Sequence, residues 1–127
     1  MKILVLTEHD DCCGPMAAAF LRDYSQKLEV VSAGISPAEN IQTLAVVAMK
    51  ECLVDLSSAK PNDINQHEMN SFDYVLKIGV SKELLQLNCG KTISLNPYIK
   101  AVDMDSMRQL RDWIKNEVFI VYKNRLH

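Results

Sequence analysis

Apolar positions fall into short branched runs that alternate with longer stretches of helical spacing. Lys2-Ile3-Leu4-Val5-Leu6 is nearly continuous and predicts a buried strand. A polar loop, Gly14-Pro15 and an alanine-rich segment follow, in which Met16, Ala19, Phe20 and Tyr24 predict a helix to about Lys27, with Pro15 in its first turn. Leu28 to Ala33 alternates as a second strand closed by Gly34, and Ile35 to Asn40 reads as a loop. Asn40 is placed to cap a helix from Ile41 to about Leu53, with Leu44, Val47, Ala48 and Leu53 on its inner face. Asp55 to Ser71 is the most polar part of the chain and predicts a surface excursion with a short helix around Ile64 to Met69. Phe72 to Gly79 predicts a third strand, Ser81 a helix start leading through Leu84, Leu85 and Leu87, and Thr92 to Leu95 a fourth strand. After Asn96-Pro97-Tyr98, Asp103 or Asp105 opens a final helix with Met107, Leu110, Trp113, Ile114 and Val118 inward. The stripes holding Met49, Met69, Met104, Met107 and Trp113 read as core rather than as cofactor contacts.

Strands alternating with helices imply right-handed crossovers and a parallel sheet covered on both faces, an α/β fold. At 127 residues the chain is expected to form one domain, residues 1–127, with no internal repeat or low-complexity segment. Its 48% hydrophobic and 24% charged residues are those of an ordinary globule. A net charge of -2 without a basic stripe argues against nucleic acid and against an anionic membrane surface. No apolar run approaches the roughly 18 residues of a membrane span, and Met1-Lys2 leads straight into a strand rather than into a signal peptide. Four cysteines, two of them adjacent, make no secreted disulfide framework, so a cytoplasmic chain with reduced thiols is expected.

The candidate chemistry is concentrated in Thr7-Glu8-His9-Asp10-Asp11-Cys12-Cys13-Gly14, the first strand-to-helix loop. Such a loop lies beyond the carboxyl end of a parallel sheet, on a helix N-terminus whose free N–H groups attract anions.

Leu4 to Thr7 through Met16-Ala17, then Val31-Ser32-Ala33-Gly34 and Phe72-Asp73-Tyr74-Val75, resemble the low-molecular-weight protein tyrosine phosphatases and the related thioredoxin-coupled arsenate reductases. The likeness runs in order along nearly the whole chain. It implies a four-stranded parallel sheet with helices on both faces, a Rossmann-like three-layer sandwich. In this family the loop is a cysteine, five residues, an arginine and a Ser/Thr, with Met-Ala shortly after. Counting back from Met16-Ala17, Thr7 takes the place of the nucleophilic cysteine, Cys13 that of the arginine and Gly14 that of the Ser/Thr. The Asp-Pro pair that supplies the family's general acid corresponds to Asn96-Pro97.

Each replacement removes a function. A threonine hydroxyl does not ionise near neutral pH and needs a general base. Cys13 supplies neither the charge nor the bidentate donors of arginine. Asn96 has no proton to give a leaving group. Glu8, Asp10 and Asp11 add carboxylates, each worth roughly 4 kcal/mol of repulsion toward an anion at ~4 Å and intermediate dielectric. No other register restores the motif, because Ala18 lies six residues after Cys12 and Ala19 six after Cys13. The arsenate reductase relay is incomplete as well: the slot after the third strand is Gly79, leaving Cys89 without its partner. The resemblance therefore implies a retained fold with a degenerate phosphate loop, docking a protein partner at the former active-site cleft, beside the Asp55–Ser71 excursion and Tyr98.

Two alternatives stay open. Cys12 and Cys13 form a vicinal pair on a helix N-terminus, which suits a thiol-redox or altered phosphatase role; as a bland reading, they are two small residues filling a loop. Glu8 to Cys13 can all ligate a cation, with His9, Asp11 and Cys12 the leading candidates, but consecutive residues alternate direction and no spaced metal motif is present. No cofactor is expected, and His67 and His127 read as surface residues.

Overall fold

The computed structural model describes residues 1–80 and 91–126. The helix expected from Ser81 through Leu87, together with Cys89 and His127, lies outside the described residues. Four strands, β1 (Lys2–Thr7), β2 (Glu29–Gly34), β3 (Tyr74–Ile78) and β4 (Lys91–Leu95), form one parallel sheet in the order β2-β1-β3-β4. In register, β1 sets Thr7 beside Gly34 of β2 and Leu6 beside Lys77 of β3. The central strand thus delivers the end of Thr7 to the point where the strand order reverses, the position at which open α/β sheets bind ligands.

The alternation of side chains along β1 divides the core in two. Ile3 and Val5 meet α1 (Cys13–Tyr24), α2 (Thr43–Lys50) and α3 (Met104–Val121) in one cluster through Met16, Phe20, Ala45, Met49, Met107, Ile114 and Val118. Leu4 and Leu6 face the other side, covered by Ala33, Ile64, Phe72 and Val75. Each fully buried aliphatic side chain of this kind contributes roughly 1.5–3 kcal/mol of transfer free energy. After α3 the chain closes in a wide helical turn, Tyr122–Leu126. Among the described residues no helix is long and apolar enough to cross a membrane.

Three expectations change. The second helix starts at Thr43 rather than Ile41, and its N-cap is Gln42 without a side-chain cap bond, not Asn40. It buries Ala45, Ala48 and Met49, while Val47 is 43% exposed and Leu53, beyond the helix at φ 64, is 96% exposed. The reason is the almost unbroken apolar run from Leu44 to Met49, which carries no periodic contrast to mark a face. The face is instead chosen by α3: Arg111 donates to the Ala48 carbonyl at 2.9 Å and pairs with Glu51 at 2.7 Å, joined by Arg108 at 3.0 Å. Finally, the 55–71 segment is more than an excursion. It makes two 3₁₀ turns, Ile64–Gln66 and Met69–Ser71, buries Ile64, and bridges Asp63 to Gly34. The last helix does open at Asp103, whose carboxylate accepts from the Ser106 N–H at 2.8 Å in a capping box.

Candidate functional site

The loop between β1 and α1 is held by its carbonyls. Those of Thr7, Glu8, His9 and Asp11 accept the N–H groups of Ile35, Ser36, Ala38 and Gln42 at 2.7 to 3.1 Å. Peptides are trans and planar, so each carbonyl turned toward the 35–42 segment turns the next N–H the opposite way. The N–H groups of Glu8, His9, Asp10 and Cys12 therefore face away from that segment, and the Asp10 N–H is taken up by the Thr7 hydroxyl oxygen. Gly34 makes the close approach possible: a Cβ there would lie 2.9 Å from the His9 carbonyl carbon and 3.0 Å from the Asp10 nitrogen. His9 fastens the outer side, its Nδ1 donating to the Ser36 carbonyl at 2.9 Å.

Thr7 is buried at the base of the loop, and its Oγ1 accepts the Asp10 N–H at 3.0 Å. Asp10 adopts a left-handed conformation at φ 50, which aspartate tolerates better than most residues. Its side chain is fully buried: Oδ2 accepts the Asn62 N–H at 2.8 Å, while Oδ1 has no hydrogen-bond partner. Oδ1 sits against α1, where a Cβ on Gly14 would come within 2.8 Å of it and 3.1 Å of Thr7 Oγ1. Burial pushes the Asp10 carboxyl up from 3.8 to about 6, with Asp11 adding to the rise and the Asn62 N–H, the nearby Ser32 hydroxyl and the charge of Arg22 opposing it. Glu8 and His9 are exposed, and Asp11 is half-buried, accepting from Gln42 Nε2 at 3.3 Å.

Cys12 and Cys13 open α1, with Cys12 at the N-cap, buried and making no capping bond. Both are free thiols, as is Cys52. The neighbouring Cys13 and burial raise the Cys12 thiol well above its ordinary range, while the same contact lowers the Cys13 thiol, with burial and Asp11 opposing. The Cys12 sulfur also lies 3.7 Å from the Met107 sulfur on α3, across 95 residues of chain.

The sheet brings the other predicted positions to the same end of the molecule. Gly79, after β3, takes φ 66 and donates to the Leu95 carbonyl at 2.9 Å. A left-handed backbone favours glycine over the cysteine of a redox relay. Asn96 follows β4, exposed, beside Pro97, which packs within 3.8 Å of a Cβ at Gly79. Tyr98 is 81% exposed and meets Trp113 edge-on at 6.1 Å. Strand order places β3 between Asn96 and the Thr7 loop. Among the described residues no three His, Cys, Asp or Glu side chains gather as metal ligands, so the run from Glu8 to Cys13, His9, Asp11 and Cys12 included, forms no cage of its own.

Asn62, Ser32 and Met107 were not legible as members of the site. Asn62 reads as a turn residue, Ser32 as one more alternating strand position and Met107 as core; only their contacts across the fold reveal the connection.

A family model described as low molecular weight phosphotyrosine protein phosphatase matches residues 2–117. A Halobacterium salinarum protein called "Putative arsenate reductase" is 28% identical over 101 residues, 76% of this chain and 69% of that protein. An arsenate reductase from Archaeoglobus fulgidus superposes with a TM-score of 0.82 at 17% identity, covering 96% of this chain and 99% of that one. The YwlE arginine phosphatase of Geobacillus stearothermophilus superposes with a TM-score of 0.78 at 19% identity, covering 96% and 90%.

Proposed function

The chain belongs to the low molecular weight phosphotyrosine protein phosphatase family, and from that premise we propose that it keeps the family's loop scaffold without its cysteine chemistry and acts as a binding or regulatory protein in the cytoplasm. The observation that carries this reading is the state of Thr7. Its hydroxyl is buried and engaged by the Asp10 N–H, and an alcohol in that position needs a base to become a nucleophile. Asp10, the fully buried carboxylate beside it, accepts from Asn62 through Oδ2, and its Oδ1 makes no hydrogen bond to the Thr7 hydroxyl. Cys13 in place of arginine leaves the loop without a cation to hold a phosphoryl group against the carboxylates of Glu8, Asp10 and Asp11. Asn96 adds no acid. A protein partner at the former cleft, reaching Tyr98 and the rim of the 55–71 segment, is the use consistent with this surface.

A second reading has its own observation. The interacting thiols of Cys12 and Cys13 stand at the start of α1, where a thiolate gains from the helix dipole, so a weak or altered phosphatase or an arsenate reductase activity would run through them. Both readings meet in one assay: reduced protein is offered an aryl phosphate, phosphoarginine and arsenate with a thiol reductant, beside Thr7→Ala, Cys12→Ser and Cys13→Ser. Flat traces from a folded sample support the binding role. Turnover that disappears in one variant overturns it and names the residue responsible.

A further inference from the structure

We propose that residues 57–63 form a strap at the rim of the candidate cleft, fastened while the Asp10 carboxyl is neutral and loosened when it ionises. The span runs largely exposed between two buried anchors, Leu56 and Ile64. Its ties to the sheet gather at Asn62. The Asn62 N–H donates to Asp10 Oδ2 at 2.8 Å, its carbonyl accepts the Gly34 N–H at 2.8 Å, and its Nδ2 donates to the Ser32 carbonyl at 3.3 Å. Asp63 bridges Gly34 beside it. The N–H groups of Ser57 and Ala59, by contrast, stay within the segment, on Asp55 and Leu56. Asp10 is thus the side chain through which the β1–α1 loop grips the strap.

That grip sets hydrogen bonding against charge. Asp10 is fully buried at φ 50, and its Oδ1 has no hydrogen-bond partner. A charge held this way is costly, and lifting Asn62 opens the carboxylate to water; a neutral carboxyl gains less from the same movement. The surrounding groups do not cancel the cost. Asp11 in the loop adds to it, and Arg22 on α1 opposes it from a guanidinium committed to the Val30 carbonyl at 2.9 Å. On the strap the Asp63 carboxylate turns to the Asn65 N–H at 2.9 Å, β2 presents the uncharged Ser32, and α1 begins with the thiols of Cys12 and Cys13. The Asn62 N–H favours the charged form, but burial outweighs it, so the carboxyl titrates at about 6 under the closed strap against 3.8 in solvent. The closed state therefore keeps a proton that the open state releases. Its advantage is complete below pH 3.8 and is lost as pH rises through about 6. From pH 5 to 7.5 the opening equilibrium constant rises about tenfold. This inference stands apart from the hydrolytic question, since it concerns the movement of the rim rather than turnover.

The test is amide hydrogen exchange of the nitrogen-15-labelled protein, read residue by residue by NMR between pH 5 and 7.5 and corrected for the intrinsic rate. The Asn62 and Gly34 amides are expected to be less protected than those of Val5 and Leu76 in the sheet core at every pH, and their opening constants to rise about tenfold across the range. Asp10→Asn, which keeps an acceptor for the Asn62 N–H, should hold those opening constants level to within about twofold. Protection at Asn62 and Gly34 equal to that of the sheet core would mean that they open only with the whole fold, and the strap would be refuted. Opening constants that do not rise with pH in the unaltered protein, or a rise that survives in a folded Asp10→Asn variant, would take the control away from Asp10. The first two of these outcomes are read on the unaltered protein and decide the matter even if the variant does not fold.

Discussion

Replacing Asp10 by asparagine should stabilise the protein at neutral pH. The carboxyl is fully buried with Oδ1 unpartnered, and its pKa rises from 3.8 to about 6 on folding. Between these values the folded state holds a proton that the unfolded state has released. Stability from this group is therefore complete below pH 3.8 and lost as pH rises through about 6. A rise of about two units corresponds to roughly 3 kcal/mol of cost to the folded state at pH 7.5. Asparagine preserves the acceptor for the Asn62 N–H and tolerates φ 50, but carries no charge to desolvate. Urea unfolding followed by Trp113 fluorescence at pH 4, 5.5, 6.5 and 7.5 measures the difference. Asp10→Asn should gain about 2–3 kcal/mol at pH 7.5, less at each lower pH, and nothing near pH 4. A gain that does not change with pH, or a loss at pH 7.5, would refute the assignment of the cost to a buried carboxylate.

Gly34→Ala should cost about 1–3 kcal/mol and lie at the upper end, because the added Cβ meets backbone atoms of His9 and Asp10 that cannot rotate away; chemical denaturation measures it. Arg111→Met should cost about 1–2 kcal/mol by stripping the donor from the Ala48 carbonyl, whereas Arg108→Met, on an exposed pair, should change the unfolding midpoint little. Thr7→Cys alone should hydrolyse no aryl phosphate above background, since Cys13 still leaves the loop without its cation; a burst of phenolate on mixing would contradict this.

The strands were legible because each is a short branched run set between turn residues, and the candidate loop was legible because it follows the first of them. The face of the second helix was not, since Leu44 to Met49 offers no polar position to orient it. The state of Asp10 was equally hidden. From the sequence it is one of three carboxylates in a solvated loop; its burial depends on Asn62, 52 residues away, in a segment whose polarity reads as surface. Asn40 looked like the better cap, yet Gln42 takes that place because its N–H is claimed by the Asp11 carbonyl, which fixes where the chain can begin to coil. Contacts of this kind are set by the meeting of distant segments and leave no periodic trace.

The loop separates two things that an anion site joins. Its shape comes from backbone: four carbonyls bound to the 35–42 segment, with Gly34 yielding room for their close approach. Its charge comes from side chains, and none of the shaping bonds involves the side chain of Cys13 or Asn96. The scaffold can therefore persist while the side chains around it change, which is how a chain can superpose on an arsenate reductase and an arginine phosphatase at TM-scores near 0.8 with 17% and 19% identity. Similarity of fold reports the first of these properties and is silent on the second.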